Sequence, residues 1–336
     1  MYSHEPFRLE ALQLRPLTTR ESRVHLSDLA VPTETSSALV GAAEQEVSAL
    51  AAQIVAARAC YQPVIFFIGG HVIKSGLGLY LRALIEQNYV TTLASNGAAT
   101  IHDYELAHHG ATSETVAKEI RDGQFGMWQD DTVLNQIHTT DTMRRGLGWT
   151  FGEYLWQAAC RDQLANPEVS VFLSAYEQGI PATVHLLIGG DITHMYAGRQ
   201  MPYVMNASYH DFLVFVQNIE LMQRHGGVFV CLGSAVHAPE IFLKALSMSR
   251  NLLRQESKQP HVCTTAIMDM YPLPDDWRDG EPDQNDPRYY FRPWKTILMR
   301  SLTEGGRSYY VRGNHRSTLP RLYHWIKHFE KQRDQA

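Results

Sequence analysis

Two kinds of apolar pattern alternate along this chain: short continuous runs ended by glycine or serine, and longer stretches with apolar residues at helical spacing. The run "PVIFFIGG" (63–70) reads as a strand buried on both faces, and Gly76 to Asn88 reads as the helix that follows it. "YVTTLAS" (89–95) reads as the next strand. Strand, helix and strand within about 30 residues form a βαβ crossover, which implies parallel neighbours in one sheet.

The rhythm then repeats. "NPEVSVFLSAYEQGIPATVHLLIGGD" predicts a helix ending at Gly179 and a strand from Pro181 to Ile188. "GGVFVCLGSAV" predicts another strand, and "PEIFLKALSMSRNLLRQ", with Pro239 near its start, the helix behind it. "HVCTTAIMDM" and "SYYVRG" are further strands. Ahead of them all, 36–59 places Leu39, Val40, Val47, Leu50, Ile54 and Val55 at helical spacing, and "LPRLYHWIKHFEKQRDQA" closes the chain as an amphipathic helix. The expected fold class is α/β: three layers, doubly wound, with a mainly parallel sheet of Rossmann type. Residues 1–35 read as an N-terminal arm placed to wrap a neighbouring subunit, and 36–336 as a single domain. The aromatic, Pro- and Asp-rich stretch 271–294 reads as a long ordered loop, of the kind that serves as a lid, a subunit contact or a surface excursion.

Composition narrows the function. The 336 residues suffice for one large core, and 30 basic against 35 acidic residues, a formal charge of -5, argue against a nucleic-acid partner. Cys60, Cys160, Cys231 and Cys263 show no CxxC spacing, which points to a reducing compartment. Neither a secretory leader nor a membrane-length apolar run is evident, so a soluble cytoplasmic protein with no membrane partner is expected.

Candidate chemistry collects at the predicted strand ends. Gly69-Gly70, Ser95-Asn96-Gly97, Gly189-Gly190 and Gly233-Ser234 each follow a strand, where an open α/β sheet binds its ligands, and small residues there admit a bulky group to the backbone. No strict GxGxxG is present, and glycines also simply end strands. Histidine is abundant in the same places: His71, His102, His185, His194 and His237 fall in or beside the strand-end crevice, while His108 and His109 are expected on a loop. Asp191 and His194, with His102 and Asp103, have the ligand types of an open metal site, although no HExxH supports one.

From about Pro63 to Leu322 the order of elements resembles deoxyhypusine synthase and the related homospermidine synthases. The resemblance rests on "IKSGLGLYLRALIEQNYVTTLASNGA", "NPEVSVFLSAYEQGIP", "VFVCLGSAVHAPEI" and "RPWKTI" taken together in order. It implies NAD as cofactor, a small-molecule amine substrate, transfer of an aminobutyl-type alkyl group, and a homotetramer or homodimer. It places Lys295 where the family has its imine-forming lysine, with Trp294 beside it to exclude water. Gly70, His71, Lys74, Ser75, Ser95, Asn96, Gly97, Gly233, Ser234, Asn314 and His315 fall at NAD-contacting turns. Asn314 stands where the family has an aspartate, and His71 and Lys74 where it has Asn and Ser.

The polyamine-binding pattern is altered. His102 and Gly189 occupy two carboxylate positions, and Ala238 and Pro239 a Lys-His pair. Asp103, Asp191, His237, Glu240 and Asp269 stand near enough in sequence to supply substrate contacts. His102, His194 and Asp191 are the candidate proton-transfer groups beside Lys295. Three readings remain open: an NAD-dependent transferase with no metal, a metal-dependent hydrolase built on the His/Asp cluster, and a non-catalytic NAD-binding homologue.

Overall fold

The computed structural model describes residues 4–129, 140–195 and 201–335, so the first three residues of the arm lie outside the described residues. Its centre is a six-stranded sheet of β1 (Val64–Ile68), β2 (Thr92–Asn96), β3 (Ala182–His185), β4 (Val228–Leu232), β5 (Thr264–Asp269) and β6 (Arg307–Arg312), and every neighbouring pair is parallel. The spatial order is 3-2-1-4-5-6. The α/β expectation holds, and the order reverses between β1 and β4, the topological switch point of doubly wound sheets.

The strands are apolar throughout because both faces are covered. Side chains alternate across β1: Val64, Phe66 and Ile68 join one core, whereas Ile65 and Phe67 join the other. The first core holds residues of α1 (Ala42–Ala59), α2 (Gly70–Lys74), α3 (Gly78–Glu86), α4 (Gly97–His109), α5 (Leu147–Cys160) and α6 (Val171–Glu177). The second holds the C-terminal half of α7 (Met201–His225), α8 (His237–Gln255) and the turn Trp294–Leu298. The last helix, α9 (His315–Asp334), returns to the first core through Leu319, Leu322 and Ile326.

Several predicted boundaries move. The first helix begins at Ala42 rather than residue 36, since Gly41 takes φ +64 and turns the chain before it. His108 and His109 lie in the last turn of α4, not on a loop; α4 stops at Gly110, whose φ of 67° gives it a left-handed C-cap. The 271–294 stretch is anchored by Trp277, buried, whose carbonyl accepts from Trp294 Nε1 at 3.0 Å. The arm packs on its own chain: Val24 and His25 pair antiparallel with Thr112 and Ala111, and Arg15 and Pro16 pair parallel with Trp128 and Gln129.

One buried carboxylate fixes the edge of the sheet. Asp211 of α7 accepts from the Val184 N–H of β3 at 2.7 Å and from the Gly148 N–H of α5 at 2.9 Å, joining three elements. Gly146 and Gly148 make this possible: a Cβ on the first would lie 1.9 Å from Asp211 Oδ1, and one on the second 2.1 Å from the Ala182 carbonyl. Burial pushes the Asp211 carboxyl up to about 8, and the backbone N–H groups oppose that rise. Asp211→Ala is expected to cost about 3 kcal/mol or more, because it strands buried N–H donors. Asp211→Asn, which keeps an acceptor, should cost less; urea unfolding of both variants checks the ordering.

Candidate active site at the strand ends

All six strands point their carboxyl ends at one edge of the sheet, so the turns that follow them stand side by side. At the switch point the turns after β1 and β4 touch: the Gly69 N–H donates to the Leu232 carbonyl at 3.0 Å, and a Cβ on Gly69 would lie 1.9 Å from the Gly233 oxygen. Here the glycines serve close passage of two backbones. Gly233 also has φ +72, a conformation that favours glycine. Asn96 caps α4, its Oδ1 accepting from Ala99 N–H and from Gly70 N–H at 3.2 Å each, so the Gly70 donor is already engaged. Ser95 is buried and turns its hydroxyl to the Thr183 carbonyl at 3.4 Å. Ser234 Oγ caps α8 by accepting from Ala238 N–H at 3.1 Å, and Ala235 and Val236 stay exposed at that helix's start.

Beside this crest, a cavity of about 310 Å³ lies under the arm; Lys74, His102, Glu105, Glu114 and Asp191 contribute its charged and titratable wall together with Arg20 and Arg23. Ala98, Ile101, Phe125 and Ile192 supply the apolar wall. Sequence reasoning found His102, Lys74 and Asp191 but missed Glu105, Glu114, Thr112 and the two arginines. The two arginines sit in a segment that reads as an arm for a neighbouring subunit, and Glu105 in a stretch noted for its histidines and Asp103.

His102 is set by a chain of hydrogen bonds. Arg20 grips both oxygens of Glu105 at 2.7 Å, the two side chains being 4% and 7% exposed. The Thr112 hydroxyl donates to Glu105 Oε2 at 2.5 Å, which leaves its oxygen to face His102 Nδ1 at 2.8 Å. Burial pushes His102 down to about 4, with the Glu105 charge opposing and Lys74, Arg20 and His71 assisting. The imidazole is therefore neutral at pH 7. Asp191 is raised by burial, while the Leu187 N–H at 2.6 Å and the nearby His237 and His194 pull it down. Its Oδ1 sits over Gly97, where a Cβ would approach to 2.5 Å. His194 turns Nδ1 to the Asp191 carbonyl at 3.1 Å and buries Nε2 without a partner.

A second group stands at the ends of β1, β5 and β6. His315 opens α9 with Nδ1 buried and unpartnered; burial lowers its pKa, and Asp269 and His71 act on it electrostatically. Asp269 Oδ1 accepts from Tyr271 N–H at 2.9 Å, and Asn314 caps α9 through Arg316 N–H at 2.9 Å. Burial also lowers His71, with Lys74 adding to the effect. Ser75 is partly exposed and ends α2.

Further sequence candidates stand apart from the cavity. Asp103 faces away from it: buried, it accepts from Ser170 Oγ at 2.5 Å and from Val171 N–H at 2.7 Å, and so caps α6. Glu240 is held by Arg292 at 2.5 Å and by Lys244. Trp294 is core. Lys295 is not among the residues lining the cavity; it lies in a π-helical turn, Trp294–Leu298, with Nζ 3.3 Å from the centroid of the Tyr289 ring. His185 is also core, stacked on Phe67 at 5.3 Å and pushed down to about 3 by burial. Among the described residues, no group of three or more His, Cys, Asp or Glu stands together to hold a metal ion, and no helix is long and apolar enough to cross a membrane. All four cysteines are free thiols.

No protein-family model matches the sequence, and no curated protein is similar to it. Solved structures do match. A protein of the LOR/SDH type from Methanococcus maripaludis S2 superposes at TM-score 0.51 with 15% identity, over 89% of this chain and 71% of that one. The likeness is one of fold. AgrE, solved as a ternary complex with ornithine and NAD+, matches at TM-score 0.50 and 15% identity over 86% of this chain and 34% of its own, so the chain spans about a third of AgrE. A protein described as a deoxyhypusine synthase from Entamoeba histolytica matches over 86% of this chain and 90% of its own at 14% identity; its TM-score is 0.45, and the fold rests on the first two.

The low His102 value has a consequence for stability. An imidazole that titrates at about 4 when folded and near 6.5 when unfolded gives stability that is fully present above 6.5 and lost as pH falls through 4. Relative to His102→Gln, the wild-type protein should lose up to about 3 kcal/mol between pH 7 and 4, read from urea midpoints across that range.

Proposed function

We propose that this chain is an NAD-dependent enzyme acting on a small amine. The observation that carries this reading is the juxtaposition of a 3-2-1-4-5-6 parallel sheet, bare of side chains at its switch point, with an adjoining cavity that holds carboxylates and a neutral imidazole. The fold relative AgrE, solved with ornithine and NAD+, supports the pairing of cofactor and amine.

The residues present fit the dinucleotide. The exposed start of α8 offers N–H groups at Ala235 and Val236, and the buried, unpartnered His315 Nδ1 can bond a polar ligand group. Asn314, at the same helix start, would lie along the same ligand. NAD, when bound, accepts a hydride from the carbon that carries nitrogen.

The chain's own residues do the rest. Asp191 and Glu114 attract the ammonium form of the substrate into the cavity. His102, neutral and with Nδ1 occupied by Thr112, has Nε2 to accept a proton as the amine carbon is oxidised or as a second nucleophile adds. That nucleophile is a second amine in the transferase version of the reading, where the first amine would leave and the hydride would return to the same carbon; in a simple oxidation it is water, which would release the amine and leave the cofactor reduced. Homo-oligomer assembly belongs to the same proposal.

Lys295 decides between covalent and non-covalent routes. Its seat on Tyr289, away from the cavity, favours a route without a lysine imine. With NAD and a panel of di- and polyamines and diamino acids, hydride transfer is expected at 340 nm, as a steady rise for oxidation or as a transient within the first turnover for alkyl transfer. Lys295→Ala should keep turnover within about tenfold, and His102→Ala should lower it by about 100-fold, the usual scale for a lost general base. The opposite pattern would restore the lysine route, and a protein indifferent to NAD in native mass spectrometry would overturn the proposal.

A further inference from the structure

The N-terminal arm grips Glu105 and Ser113, two residues of the cavity wall. Its backbone pairs with the strand bearing Thr112: Val24 lies opposite Thr112, Arg23 N–H donates to the Ser113 carbonyl at 2.8 Å, and Leu26 N–H donates to the Gly110 carbonyl at 3.1 Å. Its Arg20 holds Glu105 by two bonds of 2.7 Å. Thr112 and Glu105 are both buried and are bonded to each other.

We propose that the arm is the positioning device for His102, fixing the imidazole through Thr112 and Glu105 as the Nδ1–H tautomer with Nε2 left as the basic atom in the cavity. The direction of each bond follows from what each group can do. The guanidinium only donates, so the paired Glu105 carboxylate accepts throughout; Thr112 has one hydroxyl proton and spends it on Glu105; the Thr112 oxygen can then only accept from His102. His102 Nδ1 must carry the proton, and Nε2 is left with the lone pair. A ring without this partner is free to exchange tautomers or rotate. Arg20, Glu105 and Thr112 are thus positioning residues, and the arm is part of the site.

The catalytic part of this inference rests on the proposed amine chemistry, but the tautomer does not. In the full-length protein, 15N spectra of the histidine rings should show His102 protonated at Nδ1 across neutral pH, assigned by its loss in His102→Gln. Thr112→Val should release that preference and lower kcat by about 10–100-fold with little change in KM, the scale found when a residue orienting an imidazole is removed. Thr112→Ser, which restores the hydroxyl, should recover both. A wild-type His102 protonated at Nε2 would overturn the proposal by itself, even where Thr112→Val fails to fold or no amine is turned over. Thr112→Val with unchanged kcat would also overturn it. If no amine is oxidised yet the Nδ1–H tautomer and its dependence on Thr112 are observed, the amine reading falls and the positioning role stands.

Discussion

Buried carboxylates bonded to fixed donors hold the loops of this molecule in place, and the site depends on them. Asp211 ties β3 to the start of α5, Asp103 caps α6, Glu105 takes the arm through Arg20, and Glu114 accepts from Gly126 N–H at 3.1 Å and from Trp128 Nε1 at 2.9 Å. A buried carboxyl group, charged or neutral, is costly unless its oxygens are satisfied, so each of these side chains specifies the position of whatever donates to it. The parallel sheet brings six turns to one edge, and the carboxylates determine how the surrounding segments close over two of those turns. A cavity with the arm as one wall is the result.

The same feature explains what could be read from the sequence and what could not. Parallel strands covered on both faces must be apolar at every position, so β1 and β4 stand out as "VIFFI" and "VFVCL", and the sheet was legible strand by strand. Helix α4 was not. It is buried nearly all round, Ala99, Thr100, Ile101, Asp103, Tyr104, Glu105, Leu106 and Ala107 included, so it has no polar face to give it period, and its buried acids look like functional groups. Asp103 was read as a substrate carboxylate because nothing local distinguishes an acid that caps a distant helix from one that faces a ligand. The partners that decide it, Ser170 and Val171, lie 67 and 68 residues away. Arg20 was missed for the converse reason: a guanidinium in a polar segment reads as solvated unless the buried acid that receives it is known.

The histidines divide along similar lines. His185 is stacked on Phe67 and His108 lies tilted against Tyr104, and burial keeps both neutral, which is how packed structure uses imidazole as a flat, weakly polar filler. His185 even shares with His102 a nitrogen set against a buried hydroxyl, Thr183 Oγ1 at 3.0 Å, but His102 also lines a cavity. What separates the two rings is the second nitrogen: the His185 ring is enclosed between Phe67 and Phe215, whereas the His102 ring borders a cavity. Abundance of histidine in the sequence therefore said little, while the surroundings of a single ring say a good deal.

Lys295 shows the limit of position in a chain as a guide to position in space. Its neighbours Phe291, Trp294 and Ile297 are buried, as the sequence led one to expect, but their burial packs the turn against the sheet and sends the lysine outward onto Tyr289. The π-helical turn at Trp294–Leu298 adds one residue per turn to the helix and so rotates side chains relative to an α-helical register. Element order names only the element that carries a residue; which way the residue faces is settled by local winding. His102 owes its direction to Thr112, a residue on the strand that the arm pairs with, and so its orientation is fixed from outside its own helix.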